Sequence, residues 1–295
     1  MRSRSRTLWS LATAATVAAA FGVVAVAQPH GTPVAAKPVA SSVPTPAHVV
    51  VVMEENHSYS DIIGNSGAPY FNSLASQGAL LTSSYGVTHP SEPNYMALFA
   101  GSTFGLSADT CPVNKGNVAN LGSELLAAGK TFKGYSEGLP STGSTTCSSG
   151  KYARKHSPWI NFSNVPAADS LPFTSFPTSA SGYASLPTLS FVIPNLNDDM
   201  HDGTIAAADT WLNSKMSAYA TWAKANNSLL IVTWDEDDYT ESNQIPTIVV
   251  GQSVKTGHYD ETVNHYNLLA TLEQMYGLAA VGSSATAPAI TDIWN

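Results

Sequence analysis

Only two cysteines, Cys111 and Cys147, occur in 295 residues, which excludes a small scaffold stapled by disulfides. Charge is equally sparse. Asp, Glu, Lys and Arg make up 12% of the chain against 43% hydrophobic residues, so disorder and a coiled coil are excluded and a sizeable core can be buried. There is no basic surplus: 13 Lys and Arg face 21 Asp and Glu, a formal charge of -8 that argues against general nucleic-acid binding. No internal repeat is visible. Arginine is scarce as well, and Arg2, Arg4 and Arg6 account for all of it except Arg154.

That basic start is followed by the apolar, small-residue stretch Leu8 to Val26 and by Ala25-Val26-Ala27 before Gln28, an A-x-A cleavage pattern. Residues 1–27 therefore read as a secretory signal peptide, the competing reading being an uncleaved membrane anchor. Cleavage removes three basic residues and no acids, leaving 10 minus 21, or -11. The expected product is secreted, without stable insertion in a membrane. An oxidising exterior permits Cys111 and Cys147 to pair. Residues 28–47, with Pro29, Pro33, Pro38, Pro44 and Pro46, read as a linker, and 48–295 as one folded domain.

Within the domain, strand and helix patterns alternate. Strands are expected at His48 to Met53, Leu80 to Tyr85, Thr131 to Tyr135, Leu189 to Ile193, Leu229 to Trp234 and Thr247 to Val250. Helices are expected at 69–77, 94–100, 121–128, 204–225 and 265–276. Such alternation implies an α/β fold, a mostly parallel central sheet with helices on both faces. The Gly-, Ser- and Pro-rich stretch 138–185 lacks periodicity, and a loop that long is usually functional or a lid.

In open parallel sheets, ligands bind beyond the carboxyl ends of the strands. Three strands here run into clustered polar groups: Glu54-Glu55-Asn56, Asn197-Asp198-Asp199-Met200-His201-Asp202 and Asp235-Glu236-Asp237-Asp238. One such cluster is as readily a solvated turn as a site. Three converging clusters repel one another unless a cation is bound, and an oxygen-rich set suits a hard divalent ion, Ca²⁺ or Mg²⁺. Ser91, in His89-Pro90-Ser91-Glu92-Pro93-Asn94, precedes a helix with Pro93 at its first position; it is a candidate nucleophile as well as a simple N-cap. Asn94 could offer its amide to a phosphoryl oxygen. Arg154-Lys155-His156 reads as an anion site or as an ordinary surface patch. His258 and His265 are candidates for phosphate donor, general acid or metal ligand, with a structural role as the default for each. Gly134-Tyr135-Ser136-Glu137-Gly138 matches the serine-hydrolase elbow, but Leu139-Pro140-Ser141 cannot open the helix that motif requires.

Val49 to Gly64 resembles the opening motif of the bacterial phosphoesterase family that contains non-haemolytic phospholipases C and secreted acid phosphatases, related to the alkaline phosphatase superfamily. HPSEPNYMALFAG, KYARKHSPWINF, FVIPNLNDDMHDG, TWDEDD and HYNLLATLEQMYGL follow in the order expected of that family. The resemblance implies an alkaline-phosphatase-like fold and a phosphomonoesterase acting through a phosphoserine. It implies Glu55, Asn56, Asp235 and Glu236 as ligands of one divalent metal ion and Ser91 as the attacking residue. Asn94 would contact phosphate, Asp199, His201 and His265 would supply further active-site groups, and His89, His156 and His258 match less securely. In that mechanism His201 or His265 protonates the leaving group, and Lys155 and His156 join Asn94 in binding phosphate oxygens. The expected partner is a small phosphomonoester or a phospholipid or phosphoinositide headgroup. A phospholipase C-type phosphodiesterase is the alternative, with Tyr152, Trp159, Phe162, Phe173 and Phe176 as lipid-facing candidates; a carboxyl-ester hydrolase and a non-catalytic binding protein are minor ones.

Overall fold

A computed structural model describes residues 43–295. The expected signal peptide and residues 28–42 of the expected linker lie outside the described residues. Residues 43–47 pack on the domain: Val43 is buried and Ala47 N–H donates to the Asn227 carbonyl at 2.6 Å.

The strands are β1 His48–Glu54, β2 Ala79–Tyr85, β3 Phe132–Ser136, β4 Ser148–Ser149, β5 Tyr152–Ala153, β6 Ser170–Pro172, β7 Leu189–Ile193, β8 Ser228–Trp234, β9 Gln244–Gly251, β10 Gly257–Tyr259 and β11 Val263–Asn264. The helices are α1 Tyr59–Ile62, α2 Pro69–Gln77, α3 Ser91–Ala100, α4 Leu121–Ala127, α5 Ala180–Tyr183, α6 Ile205–Ala223 and α7 His265–Tyr276. Nine strands form one sheet in the order β10-β2-β9-β8-β1-β7-β3-β6, with β11 also on β2. Every pairing in it is parallel except those of β9, which runs antiparallel to both β8 and β2. The protein is thus α/β with a mostly parallel sheet. The two remaining strands, β4 and β5, pair with each other.

Strand β1 is buried on both faces, which is why it reads as an unbroken apolar run. Val49, Val51 and Met53 pack in one layer with α3, α4 and α7, while Val50 and Val52 face α2 and α6. All ten residues of α3 are buried, so that helix carries no amphipathic stripe. It begins three residues earlier than its apolar pattern suggests. Pro90 is its N-cap, Ser91 occupies its first position, and Pro93 sits at the third rather than the first.

The stretch 138–185 is built of the β4–β5 hairpin, strand β6, the short α5 and single 3₁₀ turns, tied down by aromatic packing. Tyr152, Trp159, Phe162 and Phe176 are buried, so they pack the core and do not face lipid. Trp159 crosses β3 where no side chain intervenes: a Cβ on Gly134 would lie 2.1 Å from Trp159 Cε2. Gly134→Ala should therefore cost about 1–3 kcal/mol by overpacking, read as a lowered urea midpoint; a midpoint equal to that of the parent would contradict this close approach.

Candidate active site

The register of β1 places the acids. Glu54 pairs with Trp234 of β8, so Glu55 and Asp235 leave the sheet side by side. On the other flank Glu55 N–H donates to the Asp199 carbonyl at 2.9 Å, drawing in the loop after β7. Three strand ends thus converge on one crevice. Strand β2 is parallel to β8 across β9, so its carboxyl end also lies there and feeds Ser91 into the group through residues 86–90.

Ser91 Oγ lies 3.0 Å from Glu55 Oε2 and 3.2 Å from Glu236 Oε1. Asn56 bridges the two halves: its N–H reaches Asp235 Oδ1 at 3.2 Å and its Nδ2 donates to Glu236 Oε1 at 3.0 Å. Its backbone is left-handed, with φ 44°, a region asparagine tolerates better than most residues. His156 stands on the far side of Glu55, with Nε2 3.1 Å from Glu55 Oε1 and Nδ1 3.5 Å from Asp199 Oδ2. The ligand atoms of Glu55, His156 and Asp199 lie within 4.8 Å of one another, a group that could hold a metal ion and one that crosses the expected division of roles.

Burial dominates the electrostatics. It pushes the Glu55 and Asp235 carboxyls well above the usual range, and the neighbouring acids add to that, Asp235 and Asp199 for Glu55 and Glu236 for Asp235. Asp199 is raised likewise, first by burial. Glu236 is pushed up to about 7, again mainly by burial. Burial would lower Lys155, but Glu55, Asp109 and Asp235 more than reverse this, so it stays an ammonium among the acids, 2.6 Å from Asp109 Oδ2. Burial, helped by the charge of Lys155, keeps His156 neutral.

Three expected roles change. Asn94 spends its whole amide on the preceding loop: Oδ1 accepts from Val87 N–H and Thr88 N–H, and Nδ2 donates to the Thr88 and Pro90 carbonyls, leaving nothing to offer phosphate. His265 is fully buried, its pKa drops to about 4 through burial, and its Nε2 hydrogen bonds the Asp235 carbonyl at 2.6 Å. It positions Asp235 and does not serve as an acid. His258 is exposed on β10, level with Leu80 near the amino end of β2, and is not brought to the crevice. His201 does lie at the mouth, 6.1 Å from His156 between ring centroids, with Nδ1 2.8 Å from Asp202 Oδ1. His89 is held between Glu236 Oε2 at 2.5 Å and Asp237 Oδ1 at 3.2 Å.

Arg154 is a strut rather than an anion site. Its guanidinium binds the Thr145 and Val113 carbonyls and Asn161 Oδ1, spanning the two loops that the Cys111–Cys147 disulfide joins. Ser136 of the elbow-like motif is buried against Ser157 Oγ at 2.8 Å, and a turn follows it, so no hydrolase elbow forms. A cavity of about 570 Å³ opens elsewhere, beside Glu137, Tyr183 and Lys215; Phe173 and Phe176 of the lipid-facing candidates line it, and none of the expected catalytic, phosphate-binding or metal-binding residues does.

Sequence reasoning missed Tyr95 and Asp109. Tyr95 donates its hydroxyl to Glu55 Oε1 and stacks on His156 at 4.9 Å; it lies four residues after Ser91 on the same helical face, and that spacing was the available signal. Asp109, which orients Lys155 and accepts from Glu92 N–H at 2.9 Å, sits in an irregular loop with no such signal.

The raised carboxyls make stability depend on pH. A group such as Glu236, moved from 4.5 to about 7, holds its proton more tightly folded than unfolded, so its contribution is present below pH 4.5 and is lost as pH rises towards 7. In chelator, the melting temperature should fall over that window, and added Ca²⁺ or Mg²⁺ should restore it at the upper end; a flat profile in calorimetry would contradict the crowding of acids.

Residues 65–279 match the Phosphoesterase family. The chain is 62% identical over 256 residues to a phosphatidylinositol-3-phosphatase of Mycobacterium tuberculosis, covering 87% of this chain and 85% of that protein. It is 31% identical over 246 residues to an acid phosphatase of Aspergillus fumigatus, covering 77% of this chain but 54% of the fungal protein. Among solved structures, a protein of the alkaline phosphatase superfamily from Vibrio parahaemolyticus shares the fold at 12% identity and a TM-score of 0.56, covering 85% of this chain and 72% of that one. A lipoteichoic acid synthase from Listeria monocytogenes does so at 10% identity and a TM-score of 0.58, covering 81% and 74%. With an alkaline-phosphatase-like fold and a family match over most of its length, this chain belongs to the Phosphoesterase family.

Proposed function

We propose that this phosphatase is a secreted enzyme that hydrolyses phosphate monoesters through a phosphoseryl intermediate on Ser91, with one divalent cation held by Glu55, Asn56, Asp235 and Glu236. The observation that carries the reading is the Ser91 hydroxyl at the start of α3, within hydrogen-bonding reach of both Glu55 and Glu236. The donor set fits a hard cation. Asn56 Oδ1 and Asp235 Oδ2 are buried without any hydrogen-bond partner, a cost that ligation of an ion would offset. When bound, the ion supplies Lewis acidity that favours ionised serine and neutralises charge on the phosphoryl group.

The chain's own groups account for the rest. Glu236 Oε1, 3.2 Å from Ser91 Oγ, is placed to take the Ser91 proton as Oγ attacks phosphorus. Tyr95 and His156 fix the orientation of Glu55. Lys155 offers its ammonium to the equatorial oxygens of a transition state helped mainly by positioning and charge. His201, at the mouth with Nδ1 held by Asp202, is placed to protonate the departing alkoxide. Water then releases phosphate from Ser91.

The mycobacterial relative's name supports a phosphoinositide headgroup as substrate, and the fungal names support acid phosphatase activity. Burial of Tyr152, Trp159, Phe162 and Phe176 weighs against a phospholipase C-type diesterase, and half-buried Phe173 is the one loop aromatic left to argue for it. Secretion rests on the basic start and the Ala25-Val26-Ala27 pattern. A second placement of the ion, on Glu55, His156 and Asp199, is favoured by the compactness of that group. Calorimetric Ca²⁺ titration separates the two: Asp235→Asn should abolish binding while His156→Gln leaves it, and the reverse pattern would move the ion. Ser91→Ala should lower phosphate release from an aryl phosphate by at least about a thousandfold without loss of the thermal transition. Near-normal turnover in that variant would overturn the assignment.

A further inference from the structure

Residues 107–112 are exposed throughout, so no apolar burial holds them in place. Polar ties fasten this stretch to the start of α3 instead. Asp109 Oδ1 accepts from Glu92 N–H at 2.9 Å, and Glu92 Oε2 accepts in return from Thr110 N–H at 2.7 Å. Glu92 follows Ser91, so Asp109 is fixed against the backbone next to the nucleophile. Its other oxygen, Oδ2, accepts from Lys155 Nζ at 2.6 Å. An ammonium has three N–H donors, and this pairing leaves Lys155 two of them.

The Cys111–Cys147 disulfide closes the same arrangement from outside. Cys111 lies two residues after Asp109, and the Cys147 carbonyl accepts at 3.0 Å from the N–H of Arg154, the residue before Lys155. One covalent bond thus joins the loop that bears the anion of the pair to the segment that bears its cation. Both cysteines are exposed. The disulfide, Asp109 and Lys155 line a common hollow of about 140 Å³, room into which a lysine released from Asp109 can swing. A lysine side chain has many rotamers, and its charge acts at a fixed point only when the ammonium is held. Arg154 ties the two loops again at the Val113 carbonyl, so cutting the disulfide loosens the stretch around Asp109 while the loops stay joined.

We propose that Asp109, tethered by the Cys111–Cys147 disulfide, is the positioning residue for phosphate recognition: it holds the Lys155 ammonium in place, and opening the disulfide weakens phosphate binding. This rests on the reading above in which Lys155 meets the phosphoryl oxygens. A dithiol reductant opens the bond by exchange. One of its thiolates bonds to a cysteine sulfur and expels the other cysteine as a thiolate, and its second thiolate then displaces the first cysteine. The reagent leaves as a cyclic disulfide, its two electrons pass to the protein, and Cys111 and Cys147 each take up a proton.

The test measures inhibition of p-nitrophenyl phosphate hydrolysis by inorganic phosphate. It uses the full protein with the disulfide intact, the same protein reduced with dithiothreitol and alkylated, and Cys111→Ser/Cys147→Ser, each with Lys155 present and as Lys155→Ala. Opening the bond by either route should raise the inhibition constant about three- to tenfold where Lys155 is present and less than about twofold in Lys155→Ala. An unchanged constant, or an equal rise with and without Lys155, would overturn the inference and leave the monoesterase reading intact. Parental inhibition in Lys155→Ala with the bond intact would remove Lys155 from phosphate binding and overturn the inference together with that step of the mechanism. Parent protein inactive on the aryl ester would overturn the monoesterase reading itself. Should both opened proteins lose their thermal transition, Asp109→Asn with the bond intact decides: the same Lys155-dependent rise supports the inference, and no rise overturns it.

Discussion

Buried carboxylates crowded against one serine are the constraint around which the rest of the fold is arranged. Glu55, Asp199, Asp235 and Glu236 all lie in the interior, and each is pushed towards its neutral form by burial. Like charges at such spacing repel strongly in a low dielectric. They stay together because the main chain leaves them no choice. Strand β1 is bonded to β7 on one side and β8 on the other, and the last residues of all three point the same way. A bound cation would relieve a conflict that the sheet creates.

Around that centre the supporting groups are largely neutral or committed. Tyr95 is a phenol held well above its ordinary range by burial and by Glu55, so it donates and does not ionise. His156 and His265 are kept uncharged by burial. These residues orient acids without competing for the positive-charge role. Lys155, held by Asp109, is the cation the chain contributes itself.

Much of this was legible in the sequence. Val49–Val52 announced a central buried strand, and the acidic strings after β1, β7 and β8 announced the crevice, because both follow from periodicity and from the rule on strand ends. The start of α3 was misread because Ser91 and Glu92 are polar yet wholly buried, so the apolar pattern begins only beyond them. The histidines were the least legible. His201, His258 and His265 are alike in sequence, and only tertiary position separates a rim residue from an exposed edge and a buried clamp on a carbonyl. Asn94 illustrates the same limit: an amide can serve a ligand or its own loop, and the hydrogen-bond account decides.

Outside its first six residues the chain has one guanidinium, and Arg154 uses it to brace loop carbonyls. In the proposed mechanism phosphate is therefore left to the Lys155 ammonium instead of a planar fork. A point charge holds an anion without dictating how it is turned. Orientation, and with it the choice among esters, then falls to the walls around the departing alcohol, where small changes in one or two surface side chains can retune preference while the reacting centre stays as it is.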